Sequence, residues 1–454
     1  MELFGSSGVR GVANEDLTPE FLVRVATAVG TVWGVREAAV ARDTRTTGET
    51  FADAAASGLA STGINVHRLG VVPTPGVQAY AAREGVPALM ITASHNPPQY
   101  NGMKVIGEDG VELPVADLER IESVLRTERF ARVQWDEMGK QRRVEGVRRA
   151  YVEELLNSVD RTRIEDANPT VAIDPGHGAG SLTSPDFFRR LGCRVLTLNA
   201  QPDGTFPGRD PEPVPENLGE LSRLVRTSDA DLGIAHDGDA DRAIFFDERG
   251  EYVEGDAALA ALAAAELDAG DTLVSAVTAS RRLDEAATAA EATLALTPVG
   301  STNIVTAIRD LRSEGASVPI AGEGNGGIFF PHHRLARDGA YIGARFLELT
   351  AERPASAVLG AFDGYYNVRR AIEYGEGSER EAIMAAIEQR ATRANATLDT
   401  TDGYRLDYDD GWVLARPSGT EPLVRVYAEA RERDRAEELA AGMERALEAA
   451  GAQV

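Results

Sequence analysis

Thr170-Val171-Ala172-Ile173-Asp174-Pro175-Gly176-His177-Gly178-Ala179-Gly180 decides the fold class. The first four residues read as a strand, and the Pro- and Gly-rich run after them reads as a tight turn into a helix. Working outward, the same grammar recurs. Upstream, residues 17–125 alternate helix-like stretches with short apolar runs, Ala38-Ala39-Val40-Ala41 and Ala88-Leu89-Met90-Ile91. That alternation predicts an α/β layer architecture. An arginine-rich segment from Arg126 to Arg149 joins the two units and sets a boundary near 145. Downstream, a Pro-, Gly- and Asp-rich loop over 200–217 leads to a helix and then the strand Leu232-Gly233-Ile234-Ala235. An alanine-rich helix around 256–268 opens a third unit, with strands expected near 272–277 and 317–321. A last unit begins near 363 with strand character at Tyr365-Tyr366-Asn367-Val368 and ends in a helix over 432–449. Units one to three share a strand, loop, helix order that reads as a diverged repeat.

The bulk numbers agree with a protein of several cores. At 454 residues, a prior of ~150 residues per domain gives about three domains, with four small ones also accommodated. A hydrophobic fraction of 43% describes a globular chain. No apolar run reaches membrane length, and Met1-Glu2-Leu3-Phe4-Gly5 has neither a basic nor an apolar leader region, so a cytoplasmic location is expected. Cys193 is the only cysteine, which excludes an intrachain disulfide and a cysteine metal cluster and fits a reducing compartment. The net charge of −25 argues against nucleic acid, whose phosphates call for a basic surface. Acidity is spread along the chain, and only two lysines, Lys104 and Lys140, remain. Together these features predict adaptation to high salt, where the Debye length falls to ~3 Å at 1 M.

Four loops carry chemistry. In Thr92-Ala93-Ser94-His95-Asn96-Pro97-Pro98-Gln99-Tyr100-Asn101-Gly102-Met103-Lys104 a hydroxyl sits in a stiff polar loop, followed by one of the two lysines. Lysine supplies a compact, desolvatable charge that arginine does not. No Gly-x-Ser-x-Gly elbow accompanies Ser94, which disfavours a serine hydrolase. Asp237-Gly238-Asp239-Ala240-Asp241-Arg242 sets three carboxylates at alternate positions between two apolar strands. Oxygen donors crowded this closely call for a hard cation, with Mg²⁺ the natural guest at ~2.1 Å. Asp237, Asp239, Asp241 and Glu248 also fall on calcium EF-hand positions, but Arg242 stands where that loop needs glycine. Gly322-Glu323-Gly324-Asn325-Gly326-Gly327 offers a carboxylate and an amide suited to sugar hydroxyls. Arg416-Pro417-Ser418-Gly419-Thr420-Glu421-Pro422, with Arg425 nearby, offers a guanidinium, two hydroxyls and backbone donors suited to gripping a phosphate. Of the histidines, His67, His177 and His236 read as structural, and His332 and His333 stay open.

In this order, and with the opening Phe4-Gly5-Ser6-Ser7-Gly8-Val9-Arg10-Gly11, these loops make the chain resemble the α-D-phosphohexomutase family over essentially its full length. That family comprises phosphomannomutase, phosphoglucomutase and phosphoglucosamine mutase. The resemblance implies three similar α/β domains, each a mixed sheet between helices, plus a smaller C-terminal α+β domain around a central cleft. The expected bounds are 1–145 with the phosphoserine loop, 146–250 with the metal loop, 251–362 with the sugar loop and 363–454 with the phosphate loop. It also implies that Ser94 carries a phosphoryl group and binds Mg²⁺ together with Asp237, Asp239 and Asp241. Arg10, Lys104 and Arg242 would surround the transferring phosphate. Glu323 and Asn325 would read sugar hydroxyls, while Arg416, Ser418, Gly419, Thr420 and Arg425 would hold the other phosphate. A bisphosphosugar would act as intermediate and activator.

Two departures stand out. Where many relatives have Gly-Glu-x-Ser-Gly-His, this chain has Asn325 and Gly327, so the histidine often assigned to acid/base work is absent. Lys104, with a pKa depressed near a cation, or His95 is then the expected base. Thr297-Pro298-Val299-Gly300 has proline where relatives often place a lysine. These changes resemble the archaeal branch. The expected activity is interconversion of a hexose 6-phosphate and its 1-phosphate, on glucosamine or mannose, by a monomer or homo-oligomer with a small phosphosugar as its partner. A glucose or pentose mutase of the same family is the alternative, and a metal-dependent sugar phosphatase or a non-catalytic phosphosugar-binding regulator stands further off.

Overall fold

The computed structural model describes Phe4 and residues 8–375, 378–418 and 423–450. Four sheets organise the chain. In the second, the parallel strands Arg194–Thr197, Thr170–Asp174 and Leu232–Ala235 lie side by side, and Ile244–Phe246 and Tyr252–Val253 extend them antiparallel. The third repeats this pattern. Thr293–Thr297, Thr272–Ala276 and Ala321–Glu323 are parallel, and Gly327–Phe330 and Arg334–Arg337 follow antiparallel. The first has parallel strands Asn65–Val71, Glu37–Arg42 and Ala88–Ile91, then antiparallel Tyr100–Ile106. There the outer antiparallel place is filled by Val9–Val12, and a short strand, Gln141–Arg143, adds to the opposite edge. The repeat read from the sequence is therefore a repeat of topology. The fourth sheet is antiparallel throughout, with the helices Ser378–Arg393 and Arg433–Glu448 after its first and last strands.

The strand expected near 317–321 is found at Ala321–Glu323, shifted toward the C-terminal end of that range. Val318 and Ile320 are buried there, but Pro319 has no amide to give a ladder, and pairing begins only at Ala321 opposite Val274. The alanine-rich helix spans Gly255–Glu266 and is buried along most of its length, wedged into one continuous core with Phe188, Phe245 and Phe346. That core runs through the second and third units and draws in Tyr151 and Val152, while the first and fourth units have cores of their own. Among the described residues no helix is long and apolar enough to cross a membrane.

One feature of this topology places the chemistry. In the first three units an antiparallel hairpin turns at a loop singled out in the sequence, 92–99, 236–243 and 324–326, and in the fourth the described residues on either side of the fourth loop belong to paired antiparallel strands, Gly411–Pro417 and Leu423–Ala430. A hairpin fixes its turn from both sides, so Ser94 and the three aspartates rest on paired strands.

Candidate active site

Ser94 sits in the turn between Ala88–Ile91 and Tyr100–Ile106 with φ +51, a left-handed conformation uncommon for a side-chain-bearing residue. It is fully buried, and its hydroxyl donates to Asp237 Oδ2 at 2.6 Å. Close approach of the two loops needs Gly238, since a Cβ there would stand 2.6 Å from the Ser94 carbonyl oxygen. Backbone hydrogen bonds lock the acidic loop to all three α/β units: Thr74 N to Asp239 O, Ala179 N to Gly238 O, and Gly339 N to Ala240 O.

Asp237, Asp239 and Asp241 are buried, and one carboxylate oxygen from each lies within 4.8 Å of the others. Their Oδ2 atoms are well supplied. Lys104 Nζ donates at 2.9 Å to Oδ2 of both Asp239 and Asp241, Thr74 Oγ1 donates to Asp239 Oδ2 at 2.5 Å, and Arg337 Nη2 donates to Asp241 Oδ2 at 2.6 Å. Asp239 Oδ1 and Asp241 Oδ1, by contrast, are buried with no hydrogen-bond partner. A buried, unmatched carboxylate oxygen is costly. A divalent cation held by Asp237, Asp239 and Asp241 with the Ser94 oxygen meets that need, so the residues fit a hard metal.

Burial and repulsion from Asp241 and Asp239 push Asp237 up to about 7. Burial also raises Asp239 and Asp241, but their cationic neighbours outweigh it and both end below the usual carboxylate range. Lys104 corrects the sequence reading. Burial alone would depress it, but Asp239, Asp241 and Glu112 together raise it above a free lysine. These carboxylates hold its ammonium charged, the opposite direction to the expected depression. His95 Nδ1 lies 3.4 Å from Ser94 Oγ and accepts from Arg242 Nη2 at 3.0 Å. The guanidinium of Arg242, burial and Arg10 push it down to about 2, so its ring is neutral.

Arg10 lies on Val9–Val12, opposite Gly102, and donates to Asn96 Oδ1 at 3.0 Å. Arg242 stands 3.8 Å from Asp237 Oδ2 and 3.9 Å from Asp241 Oδ1 through Nε. Glu323 is buried, accepting from Gly300 N at 3.2 Å and from Asn325 Nδ2 at 3.2 Å, and lies 4.0 Å from Arg337. The structure thus joins Arg10, Ser94, His95, Lys104 and Arg242 to the acidic trio, with Glu323 and Asn325 alongside through Arg337. Arg416 belongs to a separate cluster. Its Nε donates to Asp402 Oδ2 at 2.5 Å, Asp402 also accepts from Val299 N at 3.0 Å, and Arg425 is its cross-strand partner. Ser418 N donates to Leu423 O at 2.8 Å, while Gly419 and Thr420 lie outside the described residues. The histidines expected to be structural are engaged: His67 with Tyr80 OH, His177 with Gln201 O and His236 with Arg242 O.

Three residues escaped the sequence reading: Thr74, Arg337 and, above all, Arg45. Arg45 is fully buried and engages all five guanidinium donors. Nε donates to Asp43 Oδ2 at 3.1 Å, Nη1 to the carbonyls of Pro97 and Tyr100, and Nη2 to those of Ser94 and Asn96. Asp43 also accepts from Thr92 Oγ1, which in turn accepts from Ser94 N. The serine turn is therefore wrapped around one buried cation. Phe206, from the long loop of the second unit, covers it with its ring centroid 5.2 Å away.

A buried hydroxyl pointed at a carboxylate trio, with cations ranged behind, is the layout of a metal-assisted group-transfer enzyme. Models of the phosphoglucomutase/phosphomannomutase family match in sequence: alpha/beta/alpha domain I over residues 1–132, domain II over 149–250, domain III over 254–365 and the C-terminal domain over 367–446. A phosphoglucomutase/phosphomannomutase of Thermococcus kodakarensis is 41% identical over 451 residues, covering 96% of each chain. A phosphoglucosamine/phosphogalactosamine mutase of Sulfurisphaera tokodaii is 36% identical over 457 residues, covering 98% of this chain and 99% of that one. The crystal structure of a phosphoglucomutase/phosphomannomutase family protein from Burkholderia thailandensis superposes with a TM-score of 0.87 at 28% identity, over 100% of this chain and 98% of that one. The chain belongs to the phosphoglucomutase/phosphomannomutase family, and it is a phosphohexomutase.

Proposed function

We propose that this phosphohexomutase works through a phosphoserine at Ser94, with Mg²⁺ held by Asp237, Asp239, Asp241 and the Ser94 oxygen. The observation that carries the reading is that Asp239 Oδ1 and Asp241 Oδ1 are buried without a hydrogen-bond partner in the same loop as Asp237, which accepts from the Ser94 hydroxyl. When bound, the cation supplies charge neutralisation at the transferring phosphoryl group. Arg10, Lys104 and Arg242 draw in the same phosphate and keep it in line. The phosphoryl group leaves the Ser94 oxygen for a hydroxyl of the sugar phosphate, whose proton ends on the freed Ser94 oxygen, giving a bisphosphosugar; after the intermediate has turned around, its original phosphoryl group passes to Ser94 and the proton returns to the sugar oxygen. Arg416, Ser418, Gly419, Thr420 and Arg425 hold whichever phosphate is not reacting, and Glu323 and Asn325 read hydroxyls between the two ends. The loose transition state asks for positioning and charge more than for a strong base, which suits a site where Lys104 stays protonated and His95 resists protonation.

Glucosamine or mannose phosphate is the proposed substrate, in line with the names carried by similar proteins. We further place the enzyme in the cytoplasm of a salt-adapted organism, on the strength of its net charge of −25 and two lysines. The test is a competitive assay of glucosamine, mannose, glucose and ribose phosphates with purified protein, Mg²⁺ and a trace of the matching bisphosphate. Interconversion of one of the first two is expected. Release of inorganic phosphate without isomerisation would make it a phosphatase, and binding without either reaction a regulator.

A further inference from the structure

Gly327 and Arg337 belong to adjacent antiparallel strands, Gly327–Phe330 and Arg334–Arg337, in which Arg337 pairs with Phe329. Gly327 lies two positions before that partner, so it shares a sheet face with Arg337. The arginine side chain crosses this face directly above the glycine. A Cβ on residue 327 would stand 2.6 Å from Arg337 Cδ, 3.0 Å from Asn325 Oδ1 and 3.2 Å from Arg337 Nη1. Gly327 is not among the residues with positive φ, so its backbone is open to any amino acid. What the position lacks is room, and Arg337 has taken it.

The far end of that side chain sits on the metal loop. Arg337 is buried, its Nη2 is 2.6 Å from Asp241 Oδ2, and its Nη1 is 4.0 Å from Glu323 Oε2. Lys104 donates to the same Oδ2 atom, so two cations hold one oxygen of Asp241 and leave Oδ1 buried without a hydrogen-bond partner. We propose that Arg337 takes over the place left by the missing side chain at 327, as a permanently charged positioning residue that orients Asp241 toward the cation and completes the cationic ring behind the Ser94 oxygen. This rests on the reading of the acidic trio as the metal site. Arginine suits the task because its guanidinium stays protonated and donates in a fixed plane.

The test measures Mg²⁺ affinity of the substrate-free protein by calorimetry, beside kcat and KM for the sugar phosphate. Loss of an outer partner of a metal ligand costs ~10–100-fold in affinity or activity. Arg337→Met is expected to weaken Mg²⁺ binding and lower kcat by about that factor while leaving KM for the sugar near the wild-type value. Arg337→Lys should recover part of the loss. Gly327→Ala keeps every charge and only crowds the arginine, so it decides the matter should Arg337→Met fail to fold, and it is expected to raise the Mg²⁺ requirement with little change in melting temperature. Gly327→His alone should be impaired, and the double variant Gly327→His, Arg337→Gly should outperform Arg337→Gly. Wild-type Mg²⁺ affinity and turnover in either Arg337→Met or Gly327→Ala overturns the assignment. A wild-type protein that neither binds Mg²⁺ nor isomerises any sugar phosphate overturns the reading of the whole site instead.

Discussion

The Ser94 hydroxyl donates to Asp237 Oδ2 across 2.6 Å and 143 positions of sequence. Two loops from separate sheets thus share one proton in a buried place, and the positive φ of Ser94 keeps its oxygen turned toward the acidic loop. A buried, non-glycine residue held at positive φ is the kind of constraint that clusters at active sites. Ser94→Ala is therefore expected to lower turnover by at least ~10³-fold, on the scale of removing a covalent nucleophile. Intact-mass analysis of the wild-type protein should find one phosphoryl group, with peptide mapping locating it at Ser94. A phosphoryl group on any other residue would remove Ser94 from its assigned role.

Removal of divalent metal should abolish activity, and Mg²⁺ should restore it. The folded protein should also melt at a higher temperature with Mg²⁺ present, because a ligand that binds only the folded state at 100 times its Kd adds ~2.7 kcal/mol. Asp239→Asn should lose most of this stabilisation. Asp239 is one of the carboxylates with a partnerless oxygen, so Mg²⁺-induced stabilisation unchanged in that variant would argue that the cation binds elsewhere.

Arg45 offers a prediction that does not touch the metal. Lysine at this position keeps the charge but loses the fork that reaches four carbonyls and Asp43 together. The serine turn should shift by a fraction of an ångström, and misplacement on the scale of 1 Å costs ~10²-fold in rate. Arg45→Lys is expected to lower kcat toward that extent with KM for the sugar phosphate unchanged. A raised KM at full kcat would show that the turn is held by other means.

The parts of the site that were legible in the sequence are those in which chemistry and geometry are both local. Three aspartates at alternate positions between apolar strands announce a metal loop because one turn carries them all, and Ser94 with Lys104 stands out within a single hairpin. Arg337, Thr74 and Arg45 meet their partners at separations of 96, 165 and 49 residues, and nothing in their immediate neighbours marks them. Arg337 had one faint signal, the glycine at 327, whose meaning depends on a side chain from the next strand. The electrostatic error over Lys104 has the same origin. Burial of a lysine lowers its pKa, and only the fold brings up the two carboxylates at 2.9 Å that reverse the sign.

Arg416 tests the division of labour proposed between the reacting phosphate and the one held away from it. Arg416 is anchored by Asp402, which also ties Val299 of the third unit, so the fourth unit is joined to the third close to its proposed phosphate grip. A hydrogen bond to a charged group contributes ~1.5–3 kcal/mol, and Arg416→Ala should raise KM for the sugar phosphate by roughly 10–100-fold. The phosphoryl content of Ser94 should not change. Loss of the phosphoserine instead would place Arg416 at the reacting end.

Asp256 gives the pH dependence. It sits at the start of Gly255–Glu266, buried, and accepts from Ser280 N at 3.4 Å. Burial and then the Glu429 carboxylate of the fourth unit push it up to about 6, with Arg369 and Arg282 pulling the other way. The folded state therefore holds this proton more tightly than the unfolded chain, whose carboxyl titrates near 3.8. Its contribution to stability is complete below that value and is lost as pH rises through about 6, a change on the order of 3 kcal/mol. Asparagine carries no charge to bury and keeps an oxygen for Ser280 N. Asp256→Asn should therefore melt at a higher temperature than the wild type at pH 7, and the gap should close as pH falls toward 4. A gap that stays constant across this window would mean that Asp256 does not change its protonation there, and that Arg369 and Arg282 neutralise it in the folded protein.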